Sequence, residues 1–177
     1  MTKKEFFKNI AKDKKDLLQE FVNILKRKKI SFCIIGGLAV NAYAEPVVSL
    51  DLDVVVIVEK LEDLLSKLKQ NYIVKKFSNS INVSSPFSDL RIQIQTDSRY
   101  QDFIKRSSYK DVLGYKLPVA AIADVLQGKI WAAKDKTRRM SKRQKDLSDI
   151  LRLVERKKSL TSLIPPSLKK RLELPKI

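Results

Sequence analysis

The chain switches between two hydrophobic periods. Between residues 5 and 29 the apolar side chains fall at Phe6, Phe7 and Ile10, then at Leu17, Leu18, Phe21, Val22 and Leu25. Spacings of three and four place them on one face of an amphipathic helix, most clearly over 16–29. Residues 30–35 are an apolar run closed by Gly36-Gly37, a strand that ends in a turn. Leu38 to Ala44 fits a short helix that Pro46 stops. From Ser49 to Val58 the period becomes two. Ser49, Asp51 and Asp53 point one way, and Leu50, Leu52, Val54 and Val56 point into a core. Residues 61–70 return to helical spacing through Leu64, Leu65 and Leu68. Strands are expected at 72–77, 81–84 and 90–95, the first pair joined as a hairpin at Ser78-Asn79. Another extended piece surrounds Gly114, over 112–119. Helical periodicity then holds over 121–134 (Ile122, Val125, Leu126, Ile130, Ala133) and 141–156 (Leu147, Ile150, Leu151, Val154). The rest, with Pro165-Pro166 and Pro175, reads as a basic, loosely held tail.

This order predicts an α+β domain: a mixed β-sheet core with flanking helices and a C-terminal helical segment. The core, with its N-terminal helix, is expected over 1–118, and the helical segment with its basic tail over 119–177, packed on the core. No apolar run reaches the roughly 20 residues of a membrane span. The basic N-terminus leads into no cleavable apolar segment. A cytoplasmic protein without a membrane partner is therefore expected. The single cysteine, Cys33, lies in an apolar strand and reads as a buried, inert thiol.

The chain has no histidine. That removes Ser-His-Asp and Cys-His catalysis and His-based zinc sites. Any metal must be held by oxygen, which favours magnesium or manganese. The net charge is +17, and from residue 129 onwards there are 16 Lys/Arg against 5 Asp/Glu. Such a surface suits a polyanion such as RNA, DNA or a nucleotide. A lysine-rich proteome, in which every surface is basic, is the bland alternative.

Asp51 and Asp53 are the main candidates for chemistry. Two acids on one face of a strand can share metal ions that neutralise phosphate charge. Gly36 and Gly37 let a backbone approach a phosphate, and the helix after them aims its first amides at an anion. Against this stand two plain readings: solvated acids at a sheet edge, and a tight turn that needs glycine. Ser49 either bonds a phosphate or orients Asp51, or is an ordinary serine at a strand start. Lys129 sits on an otherwise apolar stripe, where a lysine usually snorkels to the surface. Arg143, Lys145, Asp146 and Asp149 lie within one or two helical turns, and by themselves read as a surface ion-pair helix.

Together these motifs resemble the nucleotidyltransferase superfamily with a polymerase-β-like core, and within it the AbiEii-type nucleotidyltransferases, many of them toxins of toxin–antitoxin systems. Ile35-Gly36-Gly37 and Asp51-Leu52-Asp53 match the first motif, with Ser49 two residues before the first acid. Asp124-Val125-Leu126-Gln127-Gly128-Lys129 matches an acid followed by a lysine on a helix. Arg143-Gln144-Lys145-Asp146-Leu147-Ser148-Asp149 matches an Arg-x-Lys-Asp motif with a second acid. The resemblance covers roughly residues 30–155. It implies transfer of a nucleoside monophosphate from an NTP to an acceptor, with an antitoxin protein as a candidate partner; the basic C-terminal half suggests RNA, tRNA included, as the acceptor. It also implies that Asp51 and Asp53 bind magnesium, Gly36, Gly37 and Ser49 hold the triphosphate, Lys129 contacts phosphates and Asp146 assists the acceptor.

One departure stands out. Relatives carry a third carboxylate on a later strand, and the matching strand, Leu90-Arg91-Ile92-Gln93-Ile94-Gln95, has glutamines there. An amide is a poor base and a weak metal ligand. Either the third acid is dispensable, or Asp146 substitutes for it as in AbiEii-type relatives, or catalysis is lost, and a degenerate member of the fold that binds RNA or a protein partner is the competing reading.

Overall fold

The structure, a computed structural model, describes residues 1–174. Helix α1 (Lys3–Ile10) opens on a capping box, with the Thr2 side chain accepting from Glu5 N–H and Glu5 reaching back to Thr2. The amphipathic stretch then breaks. Lys12 and Asp16 take left-handed backbone conformations, and α2 (Leu17–Arg27) begins as a second helix capped by Asp16. Asp13 is buried and accepts the backbone N–H of Leu17. The break costs no apolar continuity, because Phe7, Leu17, Leu18, Phe21 and Leu25 are all buried.

Strand β1 (Phe32–Ile35) leads directly into α3 (Gly36–Asn41), and β2 (Asp51–Val56) returns antiparallel to β1. After α4 (Leu61–Leu68) come β3 (Ile73–Lys76), β4 (Ser80–Ser85) and β5 (Ser88–Gln95) as an antiparallel meander, with the expected hairpin at Ser78-Asn79. The segment expected as one extended piece is a hairpin. Strands β6 (Ser108–Val112) and β7 (Tyr115–Val119) fold back at Leu113-Gly114, both with positive φ. That two-residue geometry suits the twist of paired strands. Polar Ser108, Lys110 and Asp111 gave β6 no apolar signal. The sheet runs β3-β4-β5-β2-β1-β7-β6, with β2/β5 and β1/β7 parallel and the other pairs antiparallel.

Helices α5 (Ile122–Lys134) and α6 (Met140–Arg156) pack on each other and on α3. A single apolar cluster runs from Phe7 to Leu168. The expectation of a loose tail is overturned over most of its length. A 3-10 turn at Lys158–Leu163 and helix α7 (Pro166–Arg171) follow α6, and Leu160, Ile164 and Leu168 are buried. Three leucine or isoleucine anchors at spacings of four dock the segment despite Pro165-Pro166 and the lysines that flank it. Pro175 lies outside the described residues. No helix among the described residues is long and apolar enough to cross a membrane.

The docked tail has a measurable consequence. Leu168→Ala is expected to cost about 2–4 kcal/mol, as for other buried leucines, read as a lower urea midpoint at unchanged slope. An unchanged midpoint would restore the loose tail.

Candidate active site

The site lies where β1 ends and β2 begins. The sheet register sets Ile35 opposite Asp53 on one side, and Asp51 and Asp53 opposite Arg91 and Gln93 of β5 on the other. Side chains in register share a face, so Asp51, Asp53, Arg91 and Gln93 all face the helices. Leu52, Val54, Ile92 and Ile94 turn the other way and are fully buried. The position where a third acid was sought is thus beside Asp53, and Gln93 fills it.

Gly36 has a specific reason to be glycine. Its φ is +67°, and a Cβ built there would collide with the Asp53 carboxylate. The turn after β1 therefore presses its backbone against Asp53. Gly37 meets Ser49, whose Oγ would lie 3.7 Å from a Cβ at 37. Ser49 sits in the loop before β2 rather than on the strand, with its Oγ 3.4 Å from both the N and O atoms of Asp51. Asn41 and Arg152 hold that loop. Asn41 exchanges hydrogen bonds with Val47, and Arg152 donates to Asn41 and to the Glu45 carbonyl.

Opposite the acids, the α5–α6 corner is fastened by ions. Lys129, 7% exposed, reaches Asp146 at 3.0 Å and Asp149 at 2.6 Å. Arg138 also binds Asp146 (3.0 Å), and Arg152 binds Asp149 (2.7 Å). Burial disfavours the Lys129 charge, but Asp149 and Asp146 outweigh it and hold its ammonium above the ordinary lysine value. Lys129 and Asp146 therefore both line the cleft that contains Asp51 and Asp53, but each is already engaged by the other. Asp124, the acid of the same helical motif, is held by Arg106 through two 2.9 Å bonds.

Between these walls is a cleft of about 360 Å³, lined by Gly37, Ser49, Asp51, Asp53, Gln93, Lys129 and Asp146 and by the basic side chains of Arg138, Arg139, Lys142 and Lys145. A smaller cavity of about 80 Å³ continues below Asp53 toward Asp124 and Gly128. The two main acids differ. Asp51 is paired with Arg91 at 2.8 Å and lies 3.6 Å from Lys142. The Asp53 carboxylate makes neither a hydrogen bond nor an ion pair among the described residues, and burial pushes it up to about 6. Lys129 opposes that shift and Asp51 adds to it.

An unpaired, desolvated carboxylate beside a second one is a fitting donor set for a hard divalent cation. The described residues contain no cluster of three His, Cys, Asp or Glu side chains arranged to hold one. A cation here would take Asp51 and Asp53 and find its remaining ligands in water or substrate oxygens. Reading the sequence missed Arg91, Arg138, Arg139 and Lys142. Arg91 was visible as the residue two before Gln93 on the same strand face. Arg138 and Arg139 lie between two helices, where no periodicity marks them.

No protein-family model and no curated protein matches the chain. Solved structures do. The antibiotic-resistance factor ANT(2'')-Ia superposes with a TM-score of 0.61 at 11% identity, covering 89% of this chain and 91% of that one. The lincosamide antibiotic adenylyltransferase LnuA, in a lincomycin-bound structure, gives 0.55 at 10% identity, covering 80% and 98%. An antigenic nucleotidyltransferase-like protein from Paracoccidioides brasiliensis gives 0.52 at 16%, covering 94% and 92%. The chain has the fold of the nucleotidyltransferases.

Two outcomes follow from the geometry. Between about pH 4 and 6 the Asp53 carboxyl ionises in the unfolded chain but keeps its proton when folded, so stability falls across that window and the full loss persists above it. In metal-free buffer, Asp53→Asn should raise the melting temperature at pH 7.5, with the gain vanishing toward pH 4. Lys129→Met should leave two buried carboxylates without their shared cation and lower stability by about 3–5 kcal/mol, measured by urea unfolding.

Proposed function

We propose that the chain is a metal-dependent nucleotidyltransferase that moves a nucleoside monophosphate from an NTP to an acceptor and releases pyrophosphate. The observation that carries this reading is Asp53. It is a carboxylate without a counter-ion, pressed against Gly36, beside Asp51, in a cleft whose other wall is basic. A divalent cation held by Asp51 and Asp53, magnesium or manganese, supplies Lewis-acid charge at the α-phosphate when bound. The chain's own groups do the rest. Arg139 and Lys145 receive the phosphate oxygens, and Arg138, whose buried Nε has no acceptor among the described residues, adds a fixed donor. Ser49 and Gly37 shape the wall beside Asp51. Lys129 holds Asp146 in place rather than serving as a free phosphate ligand, and its charge still adds to the positive field. An acceptor hydroxyl forms a bond to the α-phosphorus as the α–β phosphoanhydride bond breaks, and the hydroxyl proton leaves to solvent or a nearby base.

The acceptor we propose is RNA, with tRNA as the leading class. The support is the +17 charge and the AbiEii-type motifs, Asp124 to Lys129 and Arg143 to Asp149. The same resemblance supports a toxin role with an antitoxin partner. The ANT(2'')-Ia and LnuA structures share the fold at 10–11% identity, which carries no acceptor over to this chain. A second reading, a degenerate module that binds RNA without transfer, is favoured by Gln93 standing beside Asp53.

Incubation with each α-labelled NTP, magnesium and total RNA separates the two. Transfer of label to RNA is expected. Asp51→Asn and Asp53→Asn should each cut it by roughly 100-fold or more, since a metal stabilises the transition state by several kcal/mol, with the fold intact by circular dichroism. Full activity in either variant removes the metal site from the mechanism. RNA binding with no transfer from any NTP establishes the module.

A further inference from the structure

Asp51 is the more peculiar of the two acids, because it is already satisfied. Strand β5 runs parallel beside β2 and places Arg91 directly opposite Asp51. Arg91 Nη2 lies 2.8 Å from Asp51 Oδ1, and Lys142 Nζ of α6 lies 3.6 Å from Asp51 Oδ2. Both carboxylate oxygens thus face a cation supplied by the chain, from two different elements. A metal at Asp51 needs those same oxygens. It would also stand within a few ångströms of two positive side chains, and like charges at that range repel.

Neither cation is locked in. The side chains of Arg91 and Lys142 are 63% and 43% exposed, and ion pairs this open to solvent are weak and easily exchanged. Both belong to the residue types that bind phosphate best, the guanidinium through its fork and the ammonium as a point charge. A triphosphate removes the conflict at one stroke. It gives the two side chains new anionic partners and leaves Asp51 to the metal.

We infer that Arg91 and Lys142 are exchangeable counter-ions of Asp51: they pair with it in the nucleotide-free protein and pass to the phosphate oxygens of an incoming nucleoside triphosphate, so that metal and nucleotide each tighten the other's binding. The inference rests on the transferase reading and adds phosphate ligands that the motifs do not contain. Coupling between two ligands is reciprocal, so it is readable from either side. Its structural cause is local: a positive residue on β5, in register with the first acid, where the neighbouring register position holds Gln93.

The test uses Mn²⁺ and non-hydrolysable α,β-methylene analogues of the four nucleoside triphosphates, the tightest being kept. Mn²⁺ binding to nucleotide-free protein is measured from the electron paramagnetic resonance of the free ion. Analogue binding is measured calorimetrically, in EDTA and in saturating Mn²⁺. Arg91→Gln/Lys142→Gln should bind Mn²⁺ alone at least fivefold tighter than wild type, while binding the analogue at least fivefold more weakly. Its ratio of analogue affinities with and without metal should fall well below the tenfold or greater ratio expected of wild type. A control at the C-terminal end of α4, Lys67→Gln/Lys69→Gln, removes the same charge away from the cleft and should change none of these. Equal Mn²⁺ affinity in wild type and the cleft variant overturns the inference and leaves the transferase standing. The same gain in the control variant also overturns it, since general charge would then be the cause. Absence of Mn²⁺ binding to every form, with or without analogue, overturns the metal-dependent transferase reading itself, and this inference with it.

Discussion

One buried ammonium fixes the helical wall of the cleft. Lys129 of α5 sits between Asp146 and Asp149 of α6, and Arg138 and Arg152 close the outer sides of the same two carboxylates. A charge so deeply buried is tolerated only with close partners. The α5–α6 corner is therefore held by ions as well as by the packing of Leu126, Ile130, Leu147 and Ile150. Everything on the helical wall of the cleft follows from that corner, including the aim of Arg138, Arg139, Lys142 and Lys145. Arg152 carries the same network to Asn41 and the Glu45 carbonyl, and so to the loop that delivers Ser49 and Asp51. Asp146 and Lys129 are thus committed to each other first. In the proposed transferase their influence on a nucleotide is exerted through position and field.

The sheet wall obeys a different constraint. Parallel pairing of β2 with β5 fixes which side chain stands beside each acid, and a strand cannot change that without moving every residue to the other face. Asp51 receives Arg91, and Asp53 receives Gln93. The two acids are consequently unlike each other. One is paired with two solvent-exposed cations. The other is left unpaired, desolvated and pressed by Gly36, with its carboxyl pushed up to about 6. A cleft built this way sets Asp51 and Asp53 on its sheet wall against Arg138, Arg139, Lys142 and Lys145 on its helical wall, the charge distribution that the proposed metal-bound triphosphate would complement from both sides. The likeness to ANT(2'')-Ia and LnuA is one of fold. Chemistry on this frame is set by side chains that this chain places in its own way.

Much of this was legible in the residue order. Period-two alternation over 49–58 put Asp51 and Asp53 on one face, and the apolar run into Gly36-Gly37 marked the turn beside them. Helical spacing located α4, α5 and α6, and the glutamines of β5 were visible as glutamines before their register was known. These features depend on neighbours a few positions apart along the chain, where backbone geometry alone decides which side chains share a face. Local pattern failed where long-range packing intervened. Polar β6 was not seen because its strand character comes from pairing with β7. The tail after residue 157 reads as loose because it is basic and interrupted by Pro165-Pro166, yet Leu160, Ile164 and Leu168 find a hydrophobic surface made by elements far earlier in the chain.

The division is sharpest at the charged residues. By itself the sequence determined the mixed sheet, the strand face bearing Asp51 and Asp53, the absence of any histidine chemistry and the strongly basic charge. It left Lys129 undecided between a snorkelling surface lysine and a phosphate ligand, and Asp146 between a surface ion pair and the cleft. Only the tertiary structure paired the two, buried them, set Arg91 against Asp51 and left Asp53 alone. The physical reason is that a charge's role depends on its distance from other charges and from water. Those distances join residues 17 to 111 positions apart, which no local period encodes.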